Sequence, residues 1–319
     1  MAKLAGVSQS AVSRCFRPDA SISDEMRNRV LAAARRLGYA PDAIARSLTT
    51  RRSNLIGVII SNLTNLYYPE VLSELNARCA ERNVHLLLFT IHNESDVDRV
   101  LASVWQYRLD GVIAAARLHL EQVREFERRN VALVLYNRTM SERDVSAVYC
   151  DQAGSARIII DGLVAAGCRR FGLVDGPKDS VVGAERVSAC LERLRHHGVK
   201  TFARVEGDYT YAGGRAAFAA IKSRLGRNPD AVVAANDVMA LGCLDAARHV
   251  HGLKVPRDVS VVGFDGVEPG TWMSYGLVTV RQPVQEMAAA AVSLLLDNVE
   301  NPGRQAERRV FTGTLVPGA

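Results

Sequence analysis

Gln9, Ser10, Ser13 and Arg14 crowd six positions with side chains that hydrogen-bond to base edges or phosphates. Such residues read a duplex only if one short helix turns them the same way. Ala11, Val12 and Cys15, at i, i+1 and i+4, supply an inward apolar stripe for that helix. Ser8 can cap it by accepting from a free backbone N–H. Upstream, Ala2 to Ala5 suits a helical turn, and Gly6 permits the left-handed backbone of a sharp corner. Helix, glycine corner and polar-faced helix is the layout of a helix-turn-helix reader. The alternative is a surface helical hairpin with no partner.

A second pair of residues suits a different chemistry. Arg186 opens a helix after Gly183, and Asp265 ends an apolar, strand-like run. A guanidinium fork and a carboxylate together bind vicinal hydroxyls, or a small molecule that carries a carboxylate. An arginine at a strand end needs an acceptor, which favours a ligand there; Asp265 can equally serve only to accept strand-end amides. The sequence contains no Walker loop, no G-x-S-x-G elbow, no G-x-G-x-x-G after a strand and no H-E-x-x-H. His196-His197 and His249-x-His251 read as solvated helix ends, so no metal or other cofactor is expected.

Charge separates the two groups. Residues 1–53 carry ten Lys or Arg against four Asp or Glu, which accounts for the whole net charge of +6. A basic head on a neutral body marks where a polyanion binds. At 319 residues, of which 48% are apolar, the chain is long enough for more than one domain. No apolar run approaches the roughly 20 residues of a membrane span, and the N-terminus lacks the apolar core of a signal peptide. A cytoplasmic protein with no membrane partner is expected. Cys15, Cys79, Cys150, Cys168, Cys190 and Cys243 are scattered without a C-x-x-C pair, which fits reduced thiols.

The elements that must hold these residues follow from periodicity. Ser23 caps a third helix, with Asp24 and Glu25 in its first turn. Met26, Val30, Ala33, Ala34 and Leu37 recur at helical spacing before Gly38. Arg27, Arg29, Arg35 and Arg36 lie around it as a solvated or phosphate-facing set. Pro41 to Leu48 allows only a helix too short to stand alone in water, either a linker or a helix formed on a partner. From residue 54, strands at 55–60, 84–89, 110–114 and 131–135 alternate with helices near 68–82, 96–107 and 119–130. A second series has strands at 171–174, 231–234 and 259–262 and helices near 153–166, 183–197, 212–224 and 237–250. This is an α/β pattern: two doubly wound parallel-sheet lobes, with ligands at the strand carboxyl ends facing a cleft.

The chain resembles the lactose-repressor/galactose-repressor family of bacterial transcriptional regulators. In the head, the residues that carry the likeness are Ala2-Lys3-Leu4-Ala5-Gly6-Val7-Ser8, Val12-Ser13-Arg14, Gly38-Tyr39-x-Pro41 and Ala45-Arg46-Ser47-Leu48. In the body they are Ile56-Gly57-Val58, Asp110-Gly111-Val112-Ile113, Asn236-Asp237-x-Met239-Ala240-Leu241-Gly242, Val261-Val262-Gly263-Phe264-Asp265 and Val280-Arg281-Gln282-Pro283. Three departures stand out. Family members commonly carry several more residues ahead of Ala2, whereas Met1 falls inside the first helix here; Arg17 stands where Asn is common; and Leu66 stands where Pro usually follows Asn.

The resemblance implies a helix-turn-helix DNA-binding domain at 1–40, a hinge helix and linker at 41–53, and an effector and dimerisation domain of periplasmic-binding-protein type at 54–319. Crossings between lobes are placed near 152, 282 and 302. Lobe 1 then spans about 54–152 and 283–302, and lobe 2 about 153–282 and 303–319. DNA contacts are assigned to Ser8, Gln9, Ser10, Ser13, Arg14, Ala45 and Leu48, with Leu48 as a minor-groove wedge. Arg186, Asp265, Asn236 and Gln282 match polar positions of the ligand cleft, and Tyr67, Tyr68 and Tyr209 match aromatic ones. Tyr67 and Tyr68 can also be simple core, Asn236 a simple helix cap, and Trp272 either a pocket wall or the cover of a lobe edge. The implied function is a dimeric repressor that binds a palindromic operator duplex and answers to a small polar effector, often a sugar or sugar derivative. The other readings are a sensor that no longer binds DNA and an enzyme on the same body.

Overall fold

In the computed structural model, which describes residues 1–16, 21–39, 52–61, 63, 65–91 and 96–318, the N-terminal unit (Met1–Asn54) is built on three helices. These are α1 (Ala2–Ala5), α2 (Gln9–Cys15) and α3 (Asp24–Leu37). Gly6, at φ 63°, closes α1 with the left-handed corner that only glycine adopts freely. The Ser8 hydroxyl accepts from the Ala11 amide at 3.1 Å and starts α2, and Ser23 accepts from Met26 at 3.3 Å to start α3. Ala5, Cys15, Val30 and Ala33 make the small core, with Met1, Val7, Val12, Phe16 and Ile22 around it. The expected hinge helix, with Ala45 and Leu48, lies outside the described residues.

The second unit, Leu55–Ala319, alternates strand and helix. Its first part is β1 (Leu55–Ser61), α4 (Tyr67–Glu81), β2 (His85–Ile91), α5 (Val97–Val104), β3 (Gly111–Ala115), α6 (Leu120–Arg128), β4 (Ala132–Tyr136) and β5 (Ser146–Cys150). Then come α7 (Gln152–Ala165), β6 (Arg170–Val174), α8 (Val181–His196), β7 (Thr201–Val205), α9 (Tyr211–Leu225), β8 (Ala231–Ala234) and α10 (Asp237–Asp245). The chain continues with β9 (Ser260–Asp265), α11 (Glu268–Thr271), β10 (Val278–Arg281), α12 (Val284–Glu300), β11 (Arg308–Phe311) and β12 (Thr314–Val316). The expected helix at 237–250 is α10 followed by a π-helical turn, Ala246–Val250.

Two six-stranded sheets result. The first has the order β11-β5-β4-β3-β1-β2, with every pairing parallel. The second has the order β12-β10-β9-β8-β6-β7, parallel except for the β10–β12 edge. All residues of β3 and β8 are buried, because helices cover both faces of a parallel sheet. That explains why central strands read as unbroken apolar runs. The strands absent from the sequence reading are β5, β7, β10, β11 and β12. They are short; β7 mixes exposed with buried positions, and β11 alternates exposed with half-buried ones.

The chain passes from the first sheet to the second after β5, returns after β10, and crosses once more at Thr312-Gly313, between β11 and β12. The last crossing lies well past the expected position near 302. Asn301, Pro302 and Gly303 only end α12, with Arg304 donating its amide to the Asn301 carbonyl at 3.1 Å. The chain then adds β11 to the first sheet beside β5, so residues 308–311 belong to the first lobe. Gly313 fits the final crossing because a Cβ there would stand 2.5 Å from Val280 Cγ1.

α9 and α10 meet over glycines. A Cβ on Gly214 would lie 2.1 Å from the Met239 carbonyl oxygen, which is backbone and cannot swing aside. Gly214→Ala is therefore expected to force these helices apart, at a cost of about 1–3 kcal/mol or more. Denaturant unfolding of the whole chain measures it, and an unchanged midpoint would show that the helices have room.

Candidate functional site

On the small unit, Gln9, Ser10, Ser13 and Arg14 are all exposed on α2, whereas Ala11 and Cys15 are buried. The opposed faces follow from the 3.6-residue period. Ser8 is exposed too, but its hydroxyl is engaged as the cap and lies 2.9 Å from the Ser10 hydroxyl. Two of the basic residues of α3 are tied to the other helices: Arg27 donates to the Cys15 carbonyl at 3.4 Å, and Arg29 to the Ala5 carbonyl at 2.7 Å.

In the body, the carboxyl ends of both sheets face a cavity of about 200 Å³. Six of the seven expected ligand residues line it: Tyr67, Tyr68, Arg186, Tyr209, Asp265 and Gln282. Asn236 does not. It is fully buried and caps α10, its Oδ1 accepting from the Met239 amide at 3.0 Å. Tyr67 and Tyr68 belong to the apolar core and to the cavity wall at once. The Tyr68 hydroxyl reaches the Ala115 carbonyl, and Tyr67 lies 3.5 Å from Tyr136 and 3.4 Å from Gln282. Burial, then the neighbouring Tyr136, holds the Tyr67 hydroxyl well above its usual pKa. Trp272 is absent from the cavity wall and 54% exposed.

The arginine finds its acceptors inside the protein. Arg186, 3% exposed, donates Nε to Gln152 Oε1 at 2.8 Å, Nη1 to the Ala235 carbonyl at 2.7 Å and Nη2 to Asp265 Oδ1 at 2.8 Å. It also lies over the Phe264 ring. Burial works against its charge, but Asp265 outweighs burial and holds the guanidinium above its ordinary pKa. The contacts then close into a ring. Gln282 donates to Asp265 Oδ1 at 2.9 Å and accepts from Asn137 at 2.6 Å, while Asn137 Oδ1 accepts from Gln152 at 3.5 Å. Asp265 and Arg186 come from the second lobe, Asn137 follows β4 of the first, and Gln152 and Gln282 sit at crossings. A more exposed tie also spans the lobes: Arg281 donates to the Gly266 carbonyl and to Glu70 of α4.

Two buried polar atoms, Asp265 Oδ2 and Asn236 Nδ2, make no hydrogen bond within 3.5 Å, although the Asn65 side chain stands near enough to Asp265 to offset part of the rise that burial gives its pKa. Asp265 sits at φ 114°, a strained backbone for any residue but glycine. Tyr209, at φ 64°, turns its hydroxyl to Ser180 at 2.6 Å, and Gly176 and Gly183 leave space for its ring. The sequence reading missed Ser61, Asn65, Asn137, Arg138, Asp179 and Ser180, which also line the cavity. The signal for Asn137 and Arg138 was position, since they directly follow an expected strand. Among the described residues, no three His, Cys, Asp or Glu side chains could hold a metal ion, and no helix is long and apolar enough to cross a membrane.

Comparison with known proteins matches both parts. Residues 1–42 fit the model of bacterial regulatory proteins of the lacI family, and residues 160–319 fit the periplasmic binding protein-like domain. The ribose operon repressor of Escherichia coli (strain K12) is 30% identical over 99% of this chain and 97% of that protein. This chain belongs to the LacI family. It is a DNA-binding transcriptional repressor, not an enzyme. The HTH-type transcriptional repressor PurR of Klebsiella pneumoniae (strain 342) is 29% identical over 96% of this chain and 91% of its own. Among solved structures, the lac repressor dimer bound to operator and the anti-inducer ONPF has a TM-score of 0.88 at 25% identity, covering 99% of this chain and 96% of that one. A CelR–cellobiose complex has a TM-score of 0.76 at 28% identity, covering 99% and 97%.

Two outcomes follow for this family member. Arg186→Met or Asp265→Asn each leaves a buried charge unanswered and is expected to lower stability by about 3–5 kcal/mol, while Arg186→Met with Asp265→Leu recovers much of the loss. Additive losses in a denaturation cycle would show that the two side chains are not coupled. The second concerns pH. Burial, then the nearby Asp265, pushes the Asp237 carboxyl from 3.8 up to about 8 against the pull of Thr279 and the Val267 and Gly266 amides. The folded chain keeps a proton that the unfolded chain releases above about pH 4, so this contribution to stability is full below pH 4 and is lost as pH rises towards 8. Asp237→Asn is expected to flatten that decline in melting temperature; an unaltered profile would mean that Asp237 is ionised throughout.

Proposed function

We propose that this repressor binds a palindromic operator as a homodimer and is controlled by a neutral sugar or sugar derivative held between its lobes. The observation that carries the ligand reading is the unpartnered Asp265 Oδ2 on a floor whose charge is already balanced. A carboxylate ligand finds no spare cation on the floor, because Arg186 is paired with Asp265, and the wall adds one cation, Arg138, against one carboxylate, Asp179. A hydroxyl fits better: it donates to Asp265 Oδ2 and accepts one of the N–H groups Arg186 has left. Tyr67, Tyr68 and Tyr209 offer rings for a sugar's apolar face, and Gln282 orients the floor. The relative solved with cellobiose supports a sugar over a purine or a sugar acid.

For DNA, Gln9, Ser10, Ser13 and Arg14 supply the base and phosphate contacts, with Ser8 setting the start of their helix. One short helix reads too few bases for specificity, which calls for two copies on a two-fold site. The relative solved as a dimer on operator supports this. So do exposed Trp272, Met273 and Val250, three large apolar side chains on neighbouring segments that Arg248 ties together through the Ser274 and Tyr275 carbonyls.

Thermal melting of the full chain with ribose, glucose, cellobiose and gluconate tests the ligand class. A neutral sugar at 100 times its dissociation constant is expected to add about 2.7 kcal/mol, and the same sugar should change affinity for a palindromic duplex. Stabilisation by gluconate and by none of the neutral sugars would overturn the reading.

A further inference from the structure

The basic residues of the head need not all face DNA, and Arg29 is placed to do something else. It lies on α3 beside the completely buried Val30, and its own side chain is exposed at the surface of the unit. Its Nη2 donates to two carbonyls at once, Ala5 at 2.7 Å and Gly6 at 3.2 Å. These are the last carbonyl of α1 and the carbonyl of the corner before α2. A four-residue helix leaves its final carbonyls without intrahelical partners. The Ala2 carbonyl is answered by the Gly6 and Val7 amides, whereas Ala5 and Gly6 are answered by Arg29. The guanidinium lies so close that a Cβ on Gly6 would stand 2.8 Å from Nη2. Gly6 therefore serves both the left-handed turn and the seat of Arg29.

We infer that Arg29 is a positioning residue for DNA recognition: it clamps the α1–α2 corner to α3 and so fixes the angle at which Gln9, Ser10 and Arg14 are presented. The inference rests on α2 being the base-reading helix. α2 begins three residues after Gly6, so slack at the corner swings its whole polar face. Base contacts tolerate errors of only about 0.5 Å, whereas phosphate attraction is forgiving. Losing the clamp should cost specificity and leave the electrostatic part intact.

The experiment uses the full chain, a duplex enriched from a randomised pool by the wild-type protein, and a scrambled duplex of equal length. Affinity is measured against salt on both. Arg29→Ala is expected to weaken the enriched duplex about tenfold to a hundredfold, the range of a charged hydrogen bond, with little change on the scrambled one and an unchanged salt slope. Arg14→Ala, which removes a cation from the polar face, should lower the slope by about one. A similar fall in slope for Arg29→Ala would mean that Arg29 touches phosphate, and no change in either quantity would mean that the corner needs no clamp; both overturn the proposal. If Arg29→Ala abolishes binding to both duplexes, Arg29→Lys decides. Its side chain is one bond shorter and cannot serve both carbonyls, so intermediate specificity at the wild-type slope supports the clamp, and full recovery refutes it. Gln9→Ala checks the underlying reading separately, since altered base preference there confirms α2 as the reader whatever Arg29 does.

Discussion

A salt bridge with both side chains 3% exposed, Arg186 with Asp265, is the constraint on which the effector lobes depend. Removing two charges from water costs several kcal/mol apiece, and attraction alone repays that only when every remaining donor and acceptor is served. The ring through Gln152, Asn137 and Gln282 provides that service. It also explains why irregular backbone persists at Asp265: several partners determine the carboxylate position, and the chain bends to suit them. One carboxylate oxygen is left without a hydrogen bond within 3.5 Å, and in the proposed function the effector is held against it.

The ring and the Arg281–Glu70 pair both join the lobes, and their environments rank them. The ring is buried, so its bonds gain from the low local dielectric and each vacancy is costly. The Arg281–Glu70 pair is 41% and 34% exposed and competes with water, which leaves it within the 0–1 kcal/mol usual for surface ion pairs. Lobe movement is therefore resisted chiefly at the ring, next to the cavity that an effector would fill. On the proposed reading, effector binding and lobe movement are coupled because the same side chains take part in both.

The central strands and the helices between them were legible because burial on both sides forces unbroken apolar runs. Edge strands such as β7 and β11 were not, since half of their residues meet water. The polar face of α2 was legible from spacing alone. The cavity was read only in part. Arg186, Asp265 and Gln282 follow strands or open helices and match family positions, whereas Gln152 and Asn137 acquire their roles only when distant crossings come together. Arg186 was read incompletely. The side chain does need an acceptor, but the protein supplies three. Asn236 shows the reverse, because the same residue type at a helix start serves as a cap without entering the cavity wall.

The late third crossing has a consequence for synthesis. β11 completes the first sheet and β12 the second, and both lie within the final dozen residues described. A chain leaves the ribosome from its N-terminus, and domains fold as they emerge. The three-helix head can therefore assemble while both lobes still lack an edge strand. A nascent chain would hold a folded DNA reader before it held a finished effector site, and a product cut short near residue 305 would carry the reader with neither sheet closed.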